Sequence, residues 1–416
     1  MRHNYLIKSI IYTCFVISFA LPELSAQTWT IESTSDGSKP SGIDETSYIL
    51  LNDKMYLLGG RGNLPIEEYD PETSSWRQKS ARLNNLNHFQ AVAYNNLIYI
   101  VCAFTGGYPE ETPVSQIYTY DPVSDQVNTS HEIPADRRRG SAGAVAYNGK
   151  IYIVGGITNG HTSGHVAWFD EYDPTTGGWK TMPDAPRARD HFNATIHGAK
   201  LYVVSGRRSS YPNTFNFTVP EVDIYDFTTG AWTTGPANIP TERAGSAVVT
   251  YHNEVLVIGG ESMAHLEAHK ETEALNTSTL QWRKLPDLAT ARHGTQAVVY
   301  NDKVYIASGV SNRGGNPKVD TQEILSMTVT GNLYRHSNSN LEVFPNPCGS
   351  HITIAGRHMP DRAYIRIYDL SGKIHIESSL KGDRLNFGDT LPNGFYMARL
   401  YAESGEIIGT FSFTRR

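Results

Sequence analysis

The chain has 416 residues, 39% hydrophobic and 19% charged, with a formal net charge of −6. This composition fits a folded globular protein and excludes wholesale disorder, and 36 Gly with 21 Pro are too few for a collagen-like or low-complexity chain. The acidic balance excludes a general phosphate-backbone binder, so no nucleic-acid partner is expected; three Cys exclude a disulfide framework, and 24 Tyr, 14 Phe and 6 Trp favour strands.

The chain opens with Met1-Arg2-His3 and Lys8, an apolar run from Ile10 to Leu21, and Leu24-Ser25-Ala26. A basic start, about 12 apolar residues and a small-residue exit read as a secretory signal peptide over residues 1–26, cleaved after Ala26. The run is short of the ~20 residues a membrane span needs, and no other segment is long and apolar enough, so no transmembrane span is expected. Removing Arg2, Lys8 and Glu23 makes the mature chain one unit more negative. Cys102 and Cys348 remain, and both are expected as free thiols.

A hydrophobic phrase ending in Gly-Gly then recurs. It stands as Met55-Tyr56-Leu57-Leu58-Gly59-Gly60, Ile151-Tyr152-Ile153-Val154-Gly155-Gly156 and Val255-Leu256-Val257-Ile258-Gly259-Gly260. Leu201-Tyr202-Val203-Val204-Ser205-Gly206 and Val304-Tyr305-Ile306-Ala307-Ser308-Gly309 keep one glycine, and Ile98-Tyr99-Ile100-Val101-Cys102-Ala103 keeps none. Downstream, Tyr69 and Trp76, Tyr172 and Trp179, and Tyr225 and Trp232 repeat a second spacing, which Tyr120–Val127 and Leu275–Trp282 keep with substitutions. Asp-Pro after Tyr69, Tyr120 and Tyr172 signals a turn between two strands. Asn52-Asp53, Asn148-Gly149 and Asn301-Asp302, before the apolar phrase, suit tight hairpins. Each unit thus reads as four short strands.

These Gly-Gly, Tyr and Trp positions resemble the kelch repeat, whose period is about 50 residues. The resemblance implies an all-β fold, a six-bladed kelch-type β-propeller over residues 27–327. The last unit lacks a Trp strand after Thr321–Leu325, and Thr28-Trp29-Thr30-Ile31 is expected to supply it, closing the ring. Residues 328–340, rich in Ser and Asn, read as a linker. Beyond them stand Val343-Phe344-Pro345-Asn346-Pro347, Ile365–Lys373, Leu391-Pro392-Asn393-Gly394-Phe395-Tyr396 and a terminal Phe411–Arg416. Alternation in Ala363–Tyr368 and Phe395–Tyr401 predicts a small antiparallel β-sandwich. The motif string resembles the type A C-terminal sorting domain of the type IX secretion system of Bacteroidetes. That resemblance implies that residues 341–416 engage this machinery and carry the protein, via the periplasm, to the outer cell surface or the medium.

Seventeen residues before the end of each Gly-Gly phrase stand Arg139, Arg189, Arg243 and Arg292, with Ile43 and Leu86 in the first two copies. Lying just before the innermost strand, these arginines are expected to ring one mouth of the channel. Arg61, Arg207 and Glu261 follow Gly-Gly phrases at the same face, and Asp190 and His293 directly follow two ring arginines. These nine residues are the candidate ligand-binding set, because arginine forks match carboxylates and sugar hydroxyls. The competing reading of each ring arginine is a side chain that satisfies strand-end carbonyls. His265 and His269 have a helical metal spacing without a third ligand and read as a solvated loop, and Cys102 reads as a small apolar packing residue. No metal or cofactor is expected. The function read from the chain is a secreted or cell-surface kelch propeller that binds a glycan or a protein ligand. The alternative is a kelch-type carbohydrate-active enzyme, similar to a sialic acid mutarotase or to galactose oxidase, with Glu261 or Asp190 as its carboxylate.

Overall fold

In the computed structural model the described residues are 26–328, 342–355, 362–369, 374–402 and 407–416. The expected signal peptide, up to residue 25, and the expected linker, from residue 329, lie outside them. The described residues fall into two units, Ala26–Thr328 and the tail.

The first unit carries six four-stranded antiparallel sheets, and no helix occurs among the described residues. The strands Thr46–Leu51, Lys54–Gly59, Pro65–Asp70 and Ser75–Arg82 form the first sheet in chain order. The next four sheets repeat that order. Their opening strands are Val92–Tyr94, Gly143–Tyr147, Ala194–His197 and Ala247–Tyr251, followed by Ala297–Tyr300 in the last sheet. These opening strands touch in sequence, and the last touches the first, so they form a closed ring. This is the all-β propeller architecture that the repeat implies. The last sheet takes its outermost strand from the other end of the unit: Ala26–Ile31 pairs with Gln322–Thr328, setting Trp29 opposite Leu325. Trp29 is buried, and its indole N–H donates to Thr272 Oγ1 of the neighbouring sheet at 3.0 Å.

The repeat signals each have a local cause. Tyr69 lies opposite Trp76, Tyr172 opposite Trp179 and Tyr225 opposite Trp232, so the seven-residue spacing is a cross-strand pair with ring centroids 5.1–6.0 Å apart. The Asp that follows turns the chain by accepting the backbone N–H two residues on: Glu72 on Asp70, Val123 on Asp121, Thr175 on Asp173. Asn52-Asp53, Asn148-Gly149 and Asn301-Asp302 have positive φ at both residues, as two-residue hairpins require. The second glycine of the phrase is needed for a close approach: a Cβ on Gly309 would lie 2.6 Å from the His293 carbonyl oxygen, at φ 94°. The Tyr-rich second strands are buried on both faces between sheets, as Leu57, Ile98, Ile153, Val203, Val257 and Ile306 illustrate. Each such side chain contributes roughly 1.5–3 kcal/mol on burial.

The tail has a three-stranded sheet (Glu342–Phe344, His351–Ala355, Arg384–Asn386) and a four-stranded sheet (Arg362–Tyr368, Ile374–Lys381, Gly394–Ala402, Ile407–Arg415). Alternate residues of both sheets, among them Ile352, Ile354, Ile365, Ile367, Ala398 and Leu400, form one core, as the two-residue alternation predicts. Cys102 and Cys348 are free and buried, one in each unit. Burial pushes the Cys102 thiol up to about 11, against the pull of Arg139, which fits a packing residue.

Candidate functional site

Each sheet of the propeller is entered through a residue at positive φ: Glu45, His88, Ser141, His191, Gly245 and Gly294, with φ between 51° and 68°. All six line one axial cavity of about 40 Å³. Their backbones are linked in a ring: His88 N–H donates to Glu45 O (3.4 Å), Ser141 to His88 O (2.7 Å), His191 to Ser141 O (3.1 Å), Gly245 to His191 O (2.7 Å) and Gly294 to Gly245 O (2.9 Å). Thr46 N–H closes the ring on Gly294 O at 3.0 Å. Left-handed backbone is unfavourable for Glu, His and Ser, and the ring holds them there with their side chains gathered at one mouth.

The nine predicted residues divide at this point. Arg139, Arg189, Arg243 and Arg292 do not line the mouth; all four are at most 1% exposed. Each guanidinium donates to the carbonyl sixteen residues ahead, at Gly155, Ser205, Gly259 or Ser308. Each also meets a carboxylate of its own sheet's third strand: Asp170, Asp223, Glu273 or Glu323, at 2.6–2.9 Å. The expectation of a mouth ring is corrected accordingly. Strand-end carbonyls and an internal carboxylate take up most of these donors, Arg189 Nε being left without a partner, and burial lowers the Arg189, Arg243 and Arg292 pKa values, that of Arg189 to about 10.

Arg61, Asp190, Arg207, Glu261 and His293 do meet, through partners that sequence reasoning missed. Arg61 pairs with Glu111, and Glu111 Oε2 lies 2.9 Å from His161 Nδ1. His161 Nε2 lies 2.9 Å from His191 Nε2, and His191 Nδ1 lies 2.5 Å from Asp190 Oδ1. Asp190 accepts from the Ser209 hydroxyl at 2.6 Å and the Ser209 N–H at 2.9 Å. Arg207 Nε donates to the Ser209 hydroxyl and its Nη1 to Glu261. Glu261 also accepts the Gly314 N–H at 3.0 Å and lies 3.5 Å from His293 Nε2. A chain of polar contacts therefore crosses the axis, drawing on loops of all six sheets, and Glu45 lies beside it, 3.4 Å from His88.

Burial opposes charge here, and the neighbours decide the sign. Desolvation would raise the Glu111 carboxyl, but hydrogen bonds from His161 and Arg61 outweigh it and hold it at about 2. Burial raises Asp190 despite Arg207 and Ser209, and raises Glu45 despite His293. Burial, reinforced by neighbouring cations, drives His88 and His191 well below the ordinary histidine range.

Three loops frame the mouth. His161 N–H donates to Pro109 O, and Tyr211 N–H to His161 O. Gly160, at φ 52°, allows this packing, because a Cβ would sit 2.4 Å from Pro109 O. The Tyr108 ring lies against His161 at 4.9 Å and against Tyr211 at 6.4 Å, and Phe215 lies beneath the guanidinium groups of Arg207 and Arg313. Tyr108, Tyr211 and Phe217 are about half exposed. His269 is not solvated as expected: it is buried between Ser262 Oγ at 2.9 Å and Glu271 at 3.1 Å. The repeat frame does carry a signal for His88 and His191, two positions after the ring-arginine position. His161 and Glu111 lie in loops of irregular length that no repeat position marks.

The KLHDC2/KLHL20/DRC7 Kelch-repeats domain matches residues 88–309, and the Secretion system C-terminal sorting domain matches residues 342–411. The Kelch-like protein terF of Aspergillus terreus is 28% identical over 287 residues, 64% of this chain and 60% of that protein. Kelch-like protein 15 of Danio rerio is 28% identical over 257 residues, 56% of this chain and 40% of that protein. The chain thus spans less than two thirds of the length of these relatives. The solved structure of YjhT superposes with a TM-score of 0.59 at 14% identity, covering 70% of this chain and 96% of that one, a likeness of fold. Among the described residues no helix is long and apolar enough to cross a membrane.

Proposed function

Because this chain belongs to the kelch-repeat family and ends in a secretion-system sorting domain, which implies export to the cell surface or beyond, we propose that its propeller is a binding module. It takes a glycan or a protein ligand at the axial mouth. The observation that carries this reading is the group of half-exposed rings, Tyr108, Tyr211 and Phe217, in loops around a floor of buried charged groups. Planar rings with a polar tip give contact area at small entropic cost, and Arg61, about a quarter exposed, adds a directional donor. Either a sugar ring or a side chain of an extended segment stacks on such a surface. The test is binding of the full chain to oligosaccharide and extracellular-protein arrays, repeated with Tyr108→Ala and Tyr211→Ala. Loss of about tenfold or more in affinity for each variant is expected; unchanged binding would remove the mouth as the site.

A second reading, a carbohydrate-active enzyme, is favoured by one cluster: Glu261 with Arg207 and His293, all nearly fully buried. A carboxylate beside a cation and an imidazole is a plausible acid–base group. Sugar turnover that disappears in Glu261→Gln while array binding persists would support it, and turnover indifferent to that change would eliminate it.

A further inference from the structure

The three histidines at the mouth have a property that binding does not use. One ring nitrogen from each of His88, His161 and His191 lies within 4.8 Å of the other two, and all three side chains are buried. The second nitrogen of each ring already faces an oxygen: His161 Nδ1 meets Glu111, His191 Nδ1 meets Asp190, and His88 Nδ1 meets the Asn87 side-chain oxygen at 2.6 Å. The Asn87 amide nitrogen donates to Asn85 O at 2.8 Å, which fixes the oxygen toward His88. Each Nδ1 is therefore the donor, and each Nε2 carries a lone pair. With both rings in that neutral form, His161 Nε2 and His191 Nε2 face each other at 2.9 Å with two lone pairs, which only a shared proton or a metal cation reconciles; His191 Nε2 also lies 3.5 Å from the Ser141 hydroxyl, and His88 Nε2 is buried without a hydrogen-bond partner. Convergent lone pairs repel unless a proton or a metal cation lies among them.

We propose that His88, His161 and His191 bind one divalent transition-metal cation of the zinc class through Nε2. Three imidazoles, each oriented by an oxygen on its far nitrogen, are the donor set such ions select. The Glu45 carboxylate, 3.4 Å from His88 Nε2, is the nearest fourth donor, and the axial cavity beside His88 and His191 has room for water as the alternative. Glu111, Asp190 and Asn87 are positioning residues in this arrangement. The site joins ring residues of two sheets to a loop residue of a third, so a bound ion also ties the mouth loops to the axis.

The experiment is titration of the chelator-stripped full chain with Zn²⁺ by calorimetry, and with Co²⁺ by visible absorption, which reports coordination geometry. Binding of one ion per chain, a tetrahedral Co²⁺ spectrum and a rise in melting temperature with Zn²⁺ are expected. His161→Ala, in the two-stranded hairpin over residues 157–165 outside the six ring sheets and checked for an unchanged circular-dichroism spectrum, should abolish all three. Glu111→Gln should weaken binding about 10–100-fold without changing stoichiometry. His252→Ala, at a partly exposed histidine away from the ring, should change nothing. Failure of the wild-type chain to bind, binding retained in His161→Ala, or an equal loss in His252→Ala would each overturn the proposal.

Discussion

At Arg243 the difference between a binding group and a structural one is decided by five acceptors. Its guanidinium reaches the carbonyls of Gly259, Thr241, Val257 and Glu271 and the Glu273 carboxylate, with nothing left for a ligand. Arg243→Ala should therefore cost roughly 3–5 kcal/mol, the usual penalty for orphaning a buried carboxylate, measured by chemical denaturation. Ligand affinity measured on the remaining folded fraction should not move. Glu111 gives a pH signature. Its folded pKa of about 2 lies below the model-compound value of 4.5, so its contribution is complete above pH 4.5 and is lost as pH falls toward 2. Glu111→Gln should flatten the acid limb of the stability–pH curve over that window; a limb unchanged in slope would contradict the ion pair. Cys102, with its thiol raised to about 11, should resist alkylation at pH 8 in the native chain and react on unfolding, as mass mapping of the adduct would show.

At the scale of elements, most of the fold was legible because it repeats. The Tyr–Trp spacing is a cross-strand register, the Asp after it is a turn, and the Gly-Gly phrase is a close backbone approach; each is local, so one sequence copy carries the information. The arginine position recurs in four of the six sheets, and that recurrence was the clue to its role: a residue repeated from sheet to sheet serves the sheet. The mouth was less legible for the opposite reason. Glu111 and His161 sit in non-repeating loops, and their meeting depends on ring closure and on Gly160 letting two loops touch. His88 and His191 were visible in the frame, but only the folded ring shows that their neighbours at Ser141, Gly245 and Gly294 leave them room. The closing strand is testable at this scale. Trp29→Ala empties a buried site between the last two sheets and should cost roughly 3–5 kcal/mol in the same denaturation assay. A loss below about 1 kcal/mol would mean that the strand does not hold the ring.

For the whole molecule, the two units have separate cores and separate tasks. The tail's core is its own, from Ile352 to Phe413, and its family match implies interaction with the type IX machinery. Deleting residues 341–416 should leave a folded propeller that accumulates in the periplasm, and normal appearance outside the cell would contradict that assignment. The propeller in turn gathers half-exposed aromatic rings over a cluster of buried charged groups at one mouth, where loops from all its sheets converge. The most direct test of that account is hydrogen–deuterium exchange of the full chain with and without an array-selected ligand. Slowed exchange confined to residues 104–113, 157–165 and 208–219 is the predicted result. Protection confined to the outer strands, such as Ser75–Arg82 or Gln126–Glu132, with the mouth loops unchanged, would contradict it.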